Sequence, residues 1–148
     1  MTCISCRKGF LEPNLSAGIP AEIKGVKVTV KMSGLVCSRC GFTTVPGASM
    51  PEYMRLAADE YRKKNGLLTS TEIRARRKTL QMTQEEFAEY IGVGRASIKR
   101  WELGQVQEQA MDKLMRMLTG VEAARSNYKM VAQKLGKQAV QTSPAVRR

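Results

Sequence analysis

The chain has 148 residues, enough for one ordinary domain or two small ones, and its 25 Lys and Arg against 13 Asp and Glu leave a net charge of +12. No run of about 18 or more apolar residues is present for a membrane span, and MTCISCRKGF has no apolar signal region, so the expected location is the cytoplasm, where thiols stay reduced. Histidine is absent, which removes the commonest general base and the commonest ligand of an open catalytic zinc. There is no glycine-rich phosphate loop either, so the composition points away from an enzyme and toward a polyanionic partner.

All four cysteines fall within residues 1–48, as Cys3-Ile-Ser-Cys6 and Cys37-Ser-Arg-Cys40. Two such pairs, some 30 residues apart, have the form of a zinc ribbon, in which each pair sits on a tight knuckle and four thiolates complete a tetrahedron. Gly9 and Gly41 fit the knuckles. The expected cofactor is one structural Zn²⁺ per chain on Cys3, Cys6, Cys37 and Cys40, because four thiolates leave no open position for chemistry. A redox dithiol needs one pair only and a larger α/β domain around it. Spacing alone does not separate zinc from an iron–sulfur centre or from a pair of disulfides.

Between the pairs, Val26, Val28 and Val30 alternate with Lys27, Thr29 and Lys31, the period of a strand with one face buried. Gly34 is expected to break that run before Leu35 and Val36 lead into the second knuckle. The result is a small β-hairpin or three-stranded sheet, too poor in apolar residues to order itself without metal.

Residues 49–66 read as a connecting helix, expected to serve also as the first helix of the second domain. Ser49 is its candidate cap, Pro51 and Glu52 suit its first turn, and Arg62, Lys63 and Lys64 precede an Asn65-Gly66 stop. A further helix is expected from Thr71 to Leu80. Its Arg74, Arg76, Arg77 and Lys78 form either a solvated face or a set of phosphate contacts.

Residues 83–104, TQEEFAEYIGVGRASIKRWELG, carry the densest signal. Thr83 and Glu86 make a capping box, so a helix starts at Gln84 and buries Phe87, Ala88 and Ile91. It stops at Gly92. A second helix begins near Gly94, turns Ile98 and Trp101 inward and stops at Gly104. Two short helices on a glycine turn form a helix-turn-helix, whose second helix enters the major groove of DNA. Arg95 and Arg100 suit base reading, since a guanidinium gives two parallel hydrogen bonds to guanine. Ser97 reaches a base edge or a phosphate, Lys99 lies on the same outward surface, and Gln84, in the first turn capped by Thr83, is placed to hold a phosphate oxygen.

After Gly104, Met111, Leu114, Met115 and Leu118 form an amphipathic stripe expected to serve as core or as a dimer contact, with Gly120 as its stop. Residues 67–120 therefore read as a bundle of four or five helices. Beyond it, Arg125, Lys129, Lys134, Lys137, Arg147 and Arg148 face Glu122 alone. Residues 121–135 are expected to extend as a helix, and the rest as a flexible basic tail. The fold class is α+β, a small zinc-ribbon-like β domain followed by an all-α domain.

The TQEEFAEYIGVGRASIKRWELG block resembles the repressor type of helix-turn-helix found in phage repressors and Xre-like regulators. Taken with Cys3-x-x-Cys6, the hairpin region from Gly25 to Leu35 and Cys37-x-x-Cys40-Gly41, it is similar to the MqsA family of antitoxins, or YgiT-type zinc-finger proteins, over residues 1 to about 120. The resemblance implies a zinc domain that binds a small ribonuclease toxin and a homodimeric helical domain that represses its own operon at a palindromic operator. Arg100 matches the base-reading arginine of that family. Ala96 falls where such antitoxins use an asparagine, and alanine offers apolar contact instead, which implies a different operator. Thr83, Gln84, Arg95, Ala96, Ser97, Lys99 and Arg100 are thus the candidate DNA contacts. A stand-alone regulator with no toxin, such as those on mobile elements, is the competing reading.

Overall fold

The computed structural model describes residues 1–120, which divide after Gly66 into two compact units. The expected helix over 121–135 and the basic tail lie outside the described residues.

In the first unit, β1 (Leu11–Ile23) and β2 (Val26–Cys37) form a long antiparallel hairpin, and β3 (Thr43–Thr44) pairs with Leu35 and Val36 of β2. The hairpin closes through Lys24 and Gly25, with φ of 49° and 78°. Two successive positive φ values mark the mirror-image turn that matches the twist of paired strands, and glycine at the second position takes it without strain. Pro13 and Pro20 are tolerated in β1 because it is an edge strand.

The register shifts between Asn14 and Ala17, where the Asn14 side chain accepts a hydrogen bond from the Ser16 N–H at 2.9 Å. This bulge changes which face of the sheet the odd-numbered residues of β1 occupy. Before it, Leu11 lies opposite Cys37, on the face of the cysteine knuckles; after it, Ala17 and Ile19 lie opposite Met32 and Val30, on the other face. One hairpin thereby serves two small cores. β2 is not broken at Gly34. A Cβ there would sit 2.8 Å from both Ile19 Cδ1 and the Thr44 carbonyl, so glycine lets the neighbouring strands close on each other.

A 3₁₀ turn (Gly47–Ser49) leads into α1 (Met50–Lys64), where the Ser49 side chain makes no capping hydrogen bond. Tyr53, Leu56, Ala57 and Tyr61 recur at helical spacing and pack on Val28, Val30 and Ile23. The Tyr53 hydroxyl donates to the Pro20 carbonyl at 2.6 Å and Lys64 Nζ to the Lys27 carbonyl at 2.7 Å. α1 therefore belongs to the first unit as the cover of its sheet, where the sequence reads as a connecting helix that also opens the second domain.

The second unit holds α2 (Ser70–Thr79), α3 (Gln84–Ile91), α4 (Arg95–Leu103) and α5 (Gln109–Thr119). Leu68, Ile73, Phe87, Ala88, Ile98 and Met115 are all essentially inaccessible and form one apolar cluster. Fully burying a Leu, Ile, Phe or Met side chain contributes roughly 1.5–3 kcal/mol, which is why helices this short hold together. α2 starts one residue earlier than expected, because Thr69 and Glu72 form a complete capping box. Met111, Leu114 and Leu118 are partly buried against the same cluster, so the methionine-rich stripe is core, with Met117 left exposed.

Candidate functional site

Two chemically distinct places stand out, one in each unit. In the first, the Sγ atoms of Cys3, Cys6, Cys37 and Cys40 all lie within 4.8 Å of one another. Cys3 Sγ is 3.7 Å from Cys40 Sγ, and Cys6 Sγ is 3.8 Å from Cys37 Sγ. Zn–S bonds of about 2.3 Å in a tetrahedron give S···S edges of about 3.8 Å, so these separations fit one four-coordinate ion.

The two knuckles are built alike. The Arg7 N–H donates to the Cys3 carbonyl at 2.9 Å and the Gly41 N–H to the Cys37 carbonyl at 3.2 Å, while Cys3 N–H reaches the Gly9 carbonyl and Cys37 N–H the Phe42 carbonyl. Backbone N–H groups point at the sulfurs, Gly9 to Cys6 Sγ at 3.4 Å and Arg39 and Cys40 to Cys37 Sγ at 3.4 and 3.5 Å. Gly41 supplies the positive φ of its knuckle at 73°, but in the other knuckle Arg7 takes that conformation at 56°. Gly9 answers a different need, since a Cβ there would stand 2.5 Å from Cys37 Sγ.

The Lys8 and Gly9 N–H groups bring the Cys6 thiol down to about 6, and those of Cys40 and Arg39 lower Cys37. Cys40 goes the other way, to about 11: the Phe42 N–H lowers it, but burial and three neighbouring sulfurs outweigh that. Four close sulfurs do not all shed their protons unless a cation takes their place. The donor set thus calls for a metal, and the sulfurs are those of free cysteines.

The second place is the α3–α4 pair. α3 has the complete Thr83–Glu86 capping box and ends on Gly92, left-handed at φ 87°. Gly94 then caps α4, which buries Ile98 and Trp101 and leaves Arg95, Ala96, Lys99 and Arg100 exposed on the outer side, with Ser97 half-buried. Phe87 and Ile98, both in the core, fix the two helices relative to each other. The result is a rigid turn that presents a basic helix surface to solvent.

Behind that surface lies a charge network that connects three helices. Glu102, 1% exposed, accepts from Arg77 Nε and Nη2 at 2.7 and 3.3 Å and from Gln84 Nε2 at 2.7 Å, with Arg74 Nε at 3.7 Å. Arg77 also donates to the Met82 carbonyl at 3.0 Å. A second buried carboxylate, Asp112, accepts from the Leu68 N–H at 2.7 Å, from Gln107 at 3.0 Å and from Arg116 at 2.8 Å.

A family model for MqsA, the antitoxin component of bacterial toxin–antitoxin systems, matches residues 1–123. The chain belongs to the MqsA antitoxin family. A search of curated proteins finds no match to it. Family membership and the four gathered cysteines agree on one zinc ion per MqsA-type chain. Among the described residues no helix is long and apolar enough to cross a membrane.

The structure gathers the four predicted metal ligands of this MqsA-family chain into one site, places Arg95, Ala96, Ser97, Lys99 and Arg100 on α4 after the turn, and places Thr83 at the far end of α3 as its cap. Gln84 differs: its half-buried amide donates to Glu102 at 2.7 Å, which engages one of its two side-chain N–H groups within the protein. The Arg74–Lys78 cluster also divides. Arg77 turns inward, Arg76 donates to the Thr119 hydroxyl at 2.9 Å, and Lys78 remains exposed. Sequence reasoning passed over Glu102 and Asp112. The signal was present in both, because each shares a helical face with a core residue, Ile98 at i−4 and Met115 at i+3.

Proposed function

We propose that this antitoxin represses transcription by inserting α4 into the major groove of a palindromic operator, one copy of the helix per half-site of a homodimer, and that its zinc unit binds a small ribonuclease-type toxin. The observation that carries the DNA reading is α4 itself: Ile98, Trp101 and Glu102 are locked inside while Arg95, Ala96, Lys99 and Arg100 face out. A helix held by its own core presents base-reading side chains without paying to order them. Membership of an antitoxin family supports the toxin partner over a stand-alone regulator.

In this reading Arg95 and Arg100 each give two parallel hydrogen bonds to guanine, Ala96 meets a thymine methyl, Ser97 and Lys99 hold base edges or phosphates, and Thr83 and Gln84 set the first turn of α3 against the backbone. Arg95→Ala and Arg100→Ala are each expected to weaken specific binding by roughly 1–3 kcal/mol, with less effect on random DNA. Fluorescence anisotropy with a duplex selected from a random pool measures this, and equal losses on selected and scrambled duplexes would reduce both residues to phosphate contacts. Footprinting should show half-sites about one helical turn apart. Purification of the tagged, nuclease-treated chain from its host tests the toxin: a stoichiometric small protein is the expected co-purifying species, and recovery of the chain alone would refute it.

A further inference from the structure

The two helices of the reading pair do not present an unbroken basic surface. The Arg95 guanidinium, at the start of α4, forms an ion pair with the Glu85 carboxylate in the first turn of α3, and both side chains are largely exposed, at 80% and 60%. Neither residue belongs to the core cluster. Glu86 beside it is occupied by the capping box, through its backbone N–H and the Thr83 N–H. Glu85 takes no part in the box and has only the general favour of a carboxylate near a helix N-terminus. An exposed pair adds little to stability, so fold maintenance is a weak account of the pairing of Glu85 with Arg95.

Resting on the DNA-binding reading above, we propose that Glu85 is a positioning residue for DNA selectivity, which favours base reading by Arg95 over phosphate binding. The argument turns on how many partners one guanidinium serves. Arginine carries five N–H donors in a planar fork, and reading guanine O6 and N7 uses two of them. The remaining donors keep Glu85, so a neutral base edge and the carboxylate share Arg95 without conflict. A phosphate does not share it. Moving the guanidinium onto the backbone places two anions around one cation, and Glu85 then repels the phosphate it would have to approach. The carboxylate therefore penalises the contact that is the same on every sequence and leaves the sequence-reading contact intact. It achieves selectivity by opposing the wrong mode as well as by supporting the right one.

The test uses the full zinc-loaded chain and two duplexes, one selected by the wild type from a random pool and a scrambled version of equal composition, with affinities measured over a range of KCl. Glu85→Gln, which keeps size and removes charge, is expected to tighten binding to the scrambled duplex by roughly three- to tenfold and to steepen its logarithmic salt slope by about 0.9, the increment of one added phosphate contact. Binding to the selected duplex is expected to change less than about twofold, so the ratio between the two falls. Glu85→Asp is expected to keep the wild-type slope. In an Arg95→Ala background, Glu85→Gln should leave the ratio where it stands, because the effect runs through Arg95. An unchanged ratio in the Glu85→Gln single variant, or an equal shift on both duplexes, overturns the proposal. Wild-type chain that binds the two duplexes equally sinks the operator reading itself, a different failure that is visible before any variant is made.

Discussion

The cysteine end of the first unit and the helical core of the second hold buried negative charge in opposite ways, while α1 of the first unit pairs its own buried Asp59 with Arg62 at 2.9 Å. At the knuckle end of the first unit, the buried set is Cys3, Leu11 and Cys37, supported by Cys6, Leu35 and Phe42, so sulfur makes up much of the core. Four thiolates this close together repel one another and call for a metal to hold them deprotonated. In the second unit the buried carboxylates find their cations in the chain, Glu102 in Arg77 and Asp112 in Arg116, inside a cluster with Phe87, Ile98, Trp101 and Met115. The cysteine end therefore depends on metal supply, whereas the carboxylates of the helical core depend on the chain's own arginines.

Metal removal breaks this comparison most strongly. Structural zinc supplies on the order of 10 kcal/mol to small domains at neutral pH. Chelation is expected to abolish the β signal of the first unit and its thermal transition, while the helical signal of the second persists. A zinc-sensitive dye should count one ion released per chain, and Cys37→Ser should mimic the chelator. Loss of both units together on chelation would show that the second depends on the metal as well.

The next largest effect lies in the second unit. Glu102→Ala leaves the Arg77 guanidinium, 13% exposed, without its carboxylate, and breaking a buried pair from one side costs about 3–5 kcal/mol. Replacing both partners with apolar residues of similar volume, as in Arg77→Met with Glu102→Leu, should recover much of that. Chemical denaturation followed by helical signal measures both. If the double variant were no more stable than Glu102→Ala, the network would owe its worth to more than charge compensation.

The part of this architecture that was legible in the sequence is the part written in local spacing. Thr83 with Glu86, Gly92 and Gly104 bound α3 and α4 because caps act within a few residues. The cysteine pairs were visible for the same reason. β1 was not, because LEPNLSAGIPAEI contains two prolines and a bulge that changes the phase of its alternation. A period-2 pattern read from one end fails at such a point. The turn residues Lys24 and Gly25 were the available clue. Long-range pairing explains the other omissions: Glu102 meets Arg77 across 25 positions and Gln84 across 18. The same distance hides Glu102 as the partner of Gln84, and leaves Arg77 to read as part of a solvated face or of a set of phosphate contacts.

The smallest effect sharpens the comparison along the pH axis. Burial alone would raise the Asp112 carboxyl, but the Leu68 N–H, Arg116 and Gln107 outweigh it and hold it below its ordinary value. A carboxyl depressed by folding adds stability that is fully present above the unfolded value, about 3.9, and is lost as pH falls through the folded one. Above about pH 5, Asp112→Asn should therefore cost roughly 1 kcal/mol, since asparagine still accepts from Leu68 but gives up the charge opposite Arg116. The gap between wild type and variant should close as pH falls below 4. The first unit gives way earlier, because its ligands must stay deprotonated to keep their metal. Acid titration with two probes, zinc release and helical signal, is thus expected to show metal loss preceding the Asp112-linked decline. A variant whose deficit stayed constant down to pH 2 would mean that the hydrogen bonds of Asp112, and not its charge, sustain the packing of α5.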